Sequence, residues 1–166
     1  TVAGFFRFYQ ITSIPPGLYP DEAMNGNNAV EALAAGAFKI FYPENHGREG
    51  LFINIQALAV WLFGPEAWAL RIVSAIIGTL TVLGVWFLAR ELFSGWTRGS
   101  PEAGDPRAGE PQRGLSPAAI IALASAFLIA TSYWHVNFSR IGFRAIMVPL
   151  FVCFGLAFLL RALRTG

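Results

Sequence analysis

The chain has 166 residues, 55% hydrophobic and only 13% charged, with a mean hydropathy of +0.52 and a net charge of +2. Soluble domains carry about 25% charged residues, so the composition points to lipid as the main solvent. The small net charge, without a basic patch interleaved with aromatics, argues against nucleic acid as a partner. The single cysteine, Cys153 in an apolar run, excludes an internal disulfide.

Residues 1–11, TVAGFFRFYQI, are too short and interrupted to span a bilayer, and they carry no signal-peptide pattern. Together with the absence of an initial Met and the apolar helix that runs up to Gly166, they read as the last turns of a first span. The sequence is therefore expected to be the N-terminal fragment of a larger membrane protein. Pro15, Pro16, Gly17 and Pro20 then forbid a continuing helix. Asp21 opens a predicted short helix that reaches Ala35 and stops at Gly36. Ala23, Gly26, Val30 and Leu33 share one face of it, with Asn25, Asn28 and Glu31 elsewhere, which predicts a helix lying along the membrane interface. Lys39 to Gly50 reads as loop. Leu51 to Phe63 is apolar but short and holds Asn54 and Gln56, as interfacial or re-entrant segments do.

Gly64 and Pro65 punctuate the chain, and residues 66–93 form a predicted transmembrane span long enough for a ~30 Å hydrocarbon core. Trp61 and Trp68 mark one interface, Phe93 and Trp96 the other. Residues 94–114 contain GSPEA, GDPRA and GEPQR in tandem, a composition that buries no core and predicts a disordered loop. Residues 115–133 are the next span, Trp134 to Arg140 a short polar turn, and residues 141–160 the last span, with Pro149 as an expected kink. Basic residues near span ends set the orientation. Arg90, Arg98, Arg107 and Arg113 fall on the side that parity also gives Arg161 and Arg164, which is expected to be the cytoplasm. The loop of residues 12–65 and the turn carrying His135, Asn137 and Arg140 then face the extracytoplasmic side of a plasma membrane.

The titratable groups gather in that loop. Asp21 and Glu22 suit two roles: capping a helix N-terminus, or general base for an attacking hydroxyl at the membrane edge. Glu49, with Glu44 and His46 near it, has the side chains of a metal site but no standard zinc spacing, and solvated loop charge explains it as well. Arg140 and Arg144, four apart, stand where the orientation rule disfavours cations. They either snorkel and pair with the acidic loop or hold a lipid phosphate. Arg71, near the start of its span, carries the same two readings. Asn137-Phe138-Ser139 matches a glycosylation sequon by chance, being too close to the membrane for modification.

Four segments in order, IPPGLYPDEA, GREGLF, AWALRIVSAIIGTLTVLGVWFLARELF and SYWHVNFSRIGFRA, resemble the N-terminal part of the GT-C membrane glycosyltransferases. The nearest resemblance is to bacterial proteins of the protein O-mannosyltransferase type (glycosyltransferase family 39), themselves similar to the lipid A aminoarabinose transferases. The resemblance implies an all-α, polytopic fold whose first extracytoplasmic loop carries the catalytic acid, here Asp21 with Glu22 beside it. It further implies that Arg48 takes a phosphate-binding role and Glu49 that of a metal-binding acid, so that a divalent metal ion is a candidate cofactor. The donor it implies is a polyprenyl-phosphate sugar, a phosphate for Arg48, Arg71, Arg140 and Arg144 to hold. The expected activity is transfer of the sugar, with inversion, to a hydroxyl acceptor on the extracytoplasmic side of the bacterial inner membrane. The fragment alone is expected to be inactive. The rival reading is a transporter or lipid-binding membrane protein without catalysis. Transporters place charge near the bilayer midplane, whereas here the charges gather at one surface.

Overall fold

The computed structural model describes residues 2–44, 46–94 and 115–165. The expected loop of residues 94–114 therefore lies, except for Ser94, outside the described residues. The fold is nearly all helical: α1 (Val2–Phe8), α2 (Pro20–Ala35), α3 (Gly50–Phe63), α4 (Ala67–Ser94), α5 (Pro117–Thr131), α6 (Tyr133–Arg140) and α7 (Met147–Thr165). Two helical stretches, Ala67–Ser94 and Arg144–Thr165, are long and apolar enough to cross a membrane, and α5 with α6 makes a third candidate bent by 56°. Along the second stretch only 17% of the apolar window is buried, and Val148, Phe151, Val152, Leu156 and Leu159 are exposed on it. Water does not tolerate so continuous an apolar face; lipid does. The chain is a membrane protein.

α4 is the axis of the bundle and touches every other helix. Small residues let its neighbours approach. A Cβ at Gly78 would collide with the Ser139 side chain of α6, and one at Gly84 would sit 3.1–3.2 Å from Phe154 and Cys153 of α7. Close backbone approach at small residues is the usual basis of helix association in lipid. Phe52, Val73, Ile77 and Ile146 form the apolar core where α3, α4 and the start of the last helix meet.

Several local expectations need correction. The segment read as a polar turn, Trp134 to Arg140, is the helix α6, which turns His135, Ser139 and Arg140 inward. Polar residues at helical spacing make a helix when the bundle supplies acceptors on that face. The last helix begins with a 3₁₀ turn (Arg144–Ile146) and continues as α7 to Thr165. Pro149, the expected kink, is the third residue of α7, just after this 3₁₀ turn. Within Lys39 to Gly50, β1 (Phe41–Tyr42) and β2 (Arg48–Glu49) pair as a short antiparallel ribbon, Phe41 opposite Glu49 and Tyr42 opposite Arg48. Gly50 closes it onto α3 by donating to Ile40 O at 2.7 Å, and a Cβ there would strike the Lys39 carbonyl.

The face of α2 is the largest difference. Its buried residues are Glu22, Asn25, Asn28, Ala29 and Ala32, while Val30 is exposed. The polar side of the helix faces the protein too, Glu22 meeting Arg71 and Asn25 and Asn28 meeting Arg48, while of the expected face Gly26 lies against Leu70 and Leu33 packs on Ala29, Tyr42, Ile53 and Ala57.

Candidate active site

Pro20 at the first turn of α2 and Gly36 (φ 61°) past its end set the helix limits. Glu22 reaches back to accept a hydrogen bond from the Tyr19 N–H at 3.3 Å, which joins the start of α2 to the Pro-rich turn. The same carboxylate is 1% exposed and pairs with Arg71 of α4, Nε to Oε1 at 2.8 Å. Arg71 also donates to Glu22 Oε2 at 3.2 Å, to Pro15 O at 2.7 Å and to Gly17 O. One guanidinium therefore grips both the turn and the first turn of the helix that follows it. Gly142 donates to Glu22 Oε1 at 3.3 Å and accepts from Asn25 Nδ2 at 3.2 Å, bringing the segment between α6 and the 3₁₀ turn alongside α2.

Arg48 of β2, 2% exposed, completes the frame. It donates to Asn25 Oδ1 at 2.6 Å, to Asn28 Oδ1 and to Glu44 O. Arg140 donates to the carbonyls of Phe6, Arg7, Tyr9 and Ile14, at 2.8–3.3 Å, and so ties the end of α1 and the loop after it to α6. Of the four arginines expected to hold a phosphate, Arg48, Arg71 and Arg140 thus have their N–H groups engaged inside the protein. Glu22, expected beside Asp21 as a second catalytic acid, is paired with Arg71.

Asp21 and Arg144 are placed differently. They line one small cleft with Asn25, Arg48 and Phe143. Asp21 is half-buried, and its neighbour Glu22 fixes the helix turn on which it stands. Arg144 is 36% exposed, and its Nε lies 3.6 Å from Glu49 Oε2. Its Nη1 is buried without a hydrogen-bond partner among the described residues. A guanidinium nitrogen left in this way is a donor available to an anionic group entering the cleft. The site is therefore a carboxylate and a cation on one rim, each supported by a buried polar network.

The donor set does not fit a metal ion. Glu49 is 82% exposed and faces Arg144, a cation that opposes a second one. Among the described residues no three His, Cys, Asp or Glu side chains come together.

Sequence reasoning missed Arg7. Its side chain is fully buried and donates to Ser139 Oγ at 3.2 Å, to the carbonyls of Ala3, Ala130 and Ile129, and to His135 Nδ1 at 2.7 Å. Because arginine only donates, His135 Nδ1 is the acceptor and its proton sits on Nε2. A lone arginine between Phe6 and Phe8 in an apolar helix was the available signal. Asn25 and Asn28 are equally visible in the sequence but lie off the apolar face of α2.

Residues 51–98 match the family model for dolichyl-phosphate-mannose-protein mannosyltransferase. The match agrees with the resemblance read from the sequence. It covers α3 and α4, the helices that carry Gln56 and Arg71, and stops short of Asp21 and Arg144 on either side. No curated protein and no solved structure matches the chain.

Proposed function

We propose that this chain carries the general base and a phosphate-holding cation of a membrane glycosyltransferase that moves a sugar from a polyprenyl-phosphate donor to a hydroxyl acceptor, with inversion, on the extracytoplasmic side of the plasma membrane. The observation that carries this reading is the shared cleft of Asp21 and Arg144. In the proposed reaction the acceptor oxygen attacks the anomeric carbon as the bond to the donor phosphate breaks. Asp21 takes the proton that the acceptor hydroxyl loses, and the oxygen–carbon bond forms on the face opposite the departing phosphate. Arg144 donates to the phosphate as negative charge develops on it, a charge-assisted contact that is stronger in the transition state than before it. Glu22, Arg71, Asn25 and Arg48 are positioning residues: they keep the helix start rigid, so that the carboxylate need not be ordered at the moment of reaction.

The test is the full-length protein with labelled polyprenyl-phosphate sugars and candidate hydroxyl acceptors, compared with Asp21→Asn. Asn keeps the shape and caps a helix nearly as well as Asp, but it cannot accept the proton. The expected result is normal folding and donor binding with turnover almost lost. Turnover within a few-fold of wild type leaves Asp21 as a helix cap and overturns the assignment. A full-length protein that transfers nothing from any such donor returns the question to the non-catalytic lipid-binding reading.

A further inference from the structure

Arg90 lies roughly 28 Å further along α4 than Arg71, from the helical rise per residue. There α4 and α7 enclose a cavity of about 500 Å³ lined by Phe87, Arg90, Glu91, Ser94, Arg161 and Arg164. Three guanidinium groups meet one carboxylate. Arg164 is engaged, with Nη1 3.4 Å from Glu91 Oε2 and further hydrogen bonds to Ser94 Oγ and Leu92 O. Arg90 and Arg161 have no ion-pair partner among the described residues. Arg90 stands over the Trp86 ring at 5.3 Å, a contact that orients the cation without neutralising it. Phe87, which lines the cavity, packs on the exposed Phe158 beside it, with ring centroids 5.8 Å apart.

Cations at helix C-termini and at span ends have an ordinary explanation in the helix dipole and the orientation rule. Neither requires two packed helices to leave a cavity between guanidinium groups that no carboxylate among the described residues pairs. Two such groups beside an aromatic pair, at the end of two helices able to cross a membrane, fit a molecule with an anionic head and hydrocarbon tails. We infer that this cavity binds the phosphate headgroup of an anionic membrane phospholipid, with Arg90 and Arg161 donating to the phosphate oxygens and an acyl chain lying along Phe87 and Phe158. The site is separate from the Asp21 cleft and does not rest on the reaction proposed for it.

The experiment uses the full-length protein in zwitterionic detergent, free of polyprenyl phosphate. It is titrated with phosphatidylglycerol, with phosphatidylcholine of the same chain length, and with inorganic phosphate, and bound lipid is read by native mass spectrometry. The expected result is saturable phosphatidylglycerol binding at least tenfold tighter than that of the other two. The double variant Arg90→Gln/Arg161→Gln should weaken it at least tenfold, and Asp21→Asn should leave it unchanged. Arg161→Gln alone, at an exposed position, should weaken it at least threefold and serves if the double variant does not fold. Undiminished phosphatidylglycerol binding in these arginine variants overturns the proposal, as does equal binding of phosphatidylcholine. Inorganic phosphate binding as tightly as the lipid assigns the cavity to a soluble anion instead and also overturns it. Loss of lipid binding in Asp21→Asn would move the lipid to the other end of the molecule.

Discussion

Near its start α4 offers Arg71 to a carboxylate and to two backbone carbonyls of one turn; near its end it offers Arg90 to a tryptophan ring and a cavity. The helix is the same and so is the side chain. The difference lies in the acceptors around each. Beside Arg71 and Arg140 the chain is broken after α1 and before α2, and the breaks free carbonyls that a helix would otherwise use itself. Irregular backbone inside an apolar bundle needs donors as much as buried arginine needs acceptors, and here each meets the requirement of the other. Arg90 and Arg161, by contrast, are exposed and have no ion-pair partner among the described residues. Counting acceptors, not cations, separates a structural arginine from one available to a ligand.

That comparison can be broken most sharply at the cleft, where two adjacent carboxylates are assigned opposite work. Asp21→Asn should lower turnover of the full-length enzyme by about 10²–10⁴-fold, measured with saturating donor, while its thermal unfolding in detergent stays at the wild-type midpoint. Glu22→Gln should do the reverse in kind. Removing one partner of a buried ion pair costs about 3–5 kcal/mol, so its unfolding midpoint should fall steeply. Restoring neutrality with Glu22→Gln/Arg71→Met should cost less than the sum of the two single changes. Strict additivity of the three measured stabilities would show that Glu22 and Arg71 do not act as a pair.

Arg140→Gln should destabilise by a smaller amount, about 2–3 kcal/mol. It leaves the carbonyls of Phe6, Arg7, Tyr9 and Ile14 short of donors. Increased proteolysis of the turn between α1 and α2 would report the loosening directly. Arg144→Gln sharpens the other arm. Its pairing with Glu49 is exposed and worth about 0–1 kcal/mol, so stability should barely change. Donor affinity should nevertheless weaken at least tenfold, read by equilibrium binding of a labelled polyprenyl-phosphate sugar. Unchanged affinity would remove Arg144 from the phosphate and leave it as a snorkelling cation.

The helical, membrane-borne character of the fold was legible in the sequence because it depends on composition and on long apolar runs such as Trp68 to Phe93. The start of α2 was legible because Pro and Asp act locally, through φ and through capping. The inward face of α2 was not. Its hydrophobic periodicity named Val30 and Leu33, and only Arg48 of β2 and the Gly142 carbonyl, both outside α2, make Asn25 and Asn28 a buried side. The α6 helix was misread for the same reason: His135, Ser139 and Arg140 look like a solvated turn until Arg7 and the carbonyls after α1 are brought to them. Asp21 and Arg144 were each singled out from the sequence, but their meeting in one cleft depends on Gly142 docking against Glu22 and Asn25. No local signal encodes that.

The bonds of Arg7 also set a timetable for biosynthesis. Of its acceptors only the Ala3 carbonyl is nearby in sequence; those of Ile129, Ala130, His135 and Ser139 follow 122–132 residues later. At 5–20 residues per second of translation, roughly 6–26 s pass between the emergence of this arginine and that of its partners. Throughout that interval α1 carries a cation it cannot yet satisfy. Its final seating therefore waits for α5 and α6, so a helix that precedes every other described helix in the chain is among the last to be locked in place.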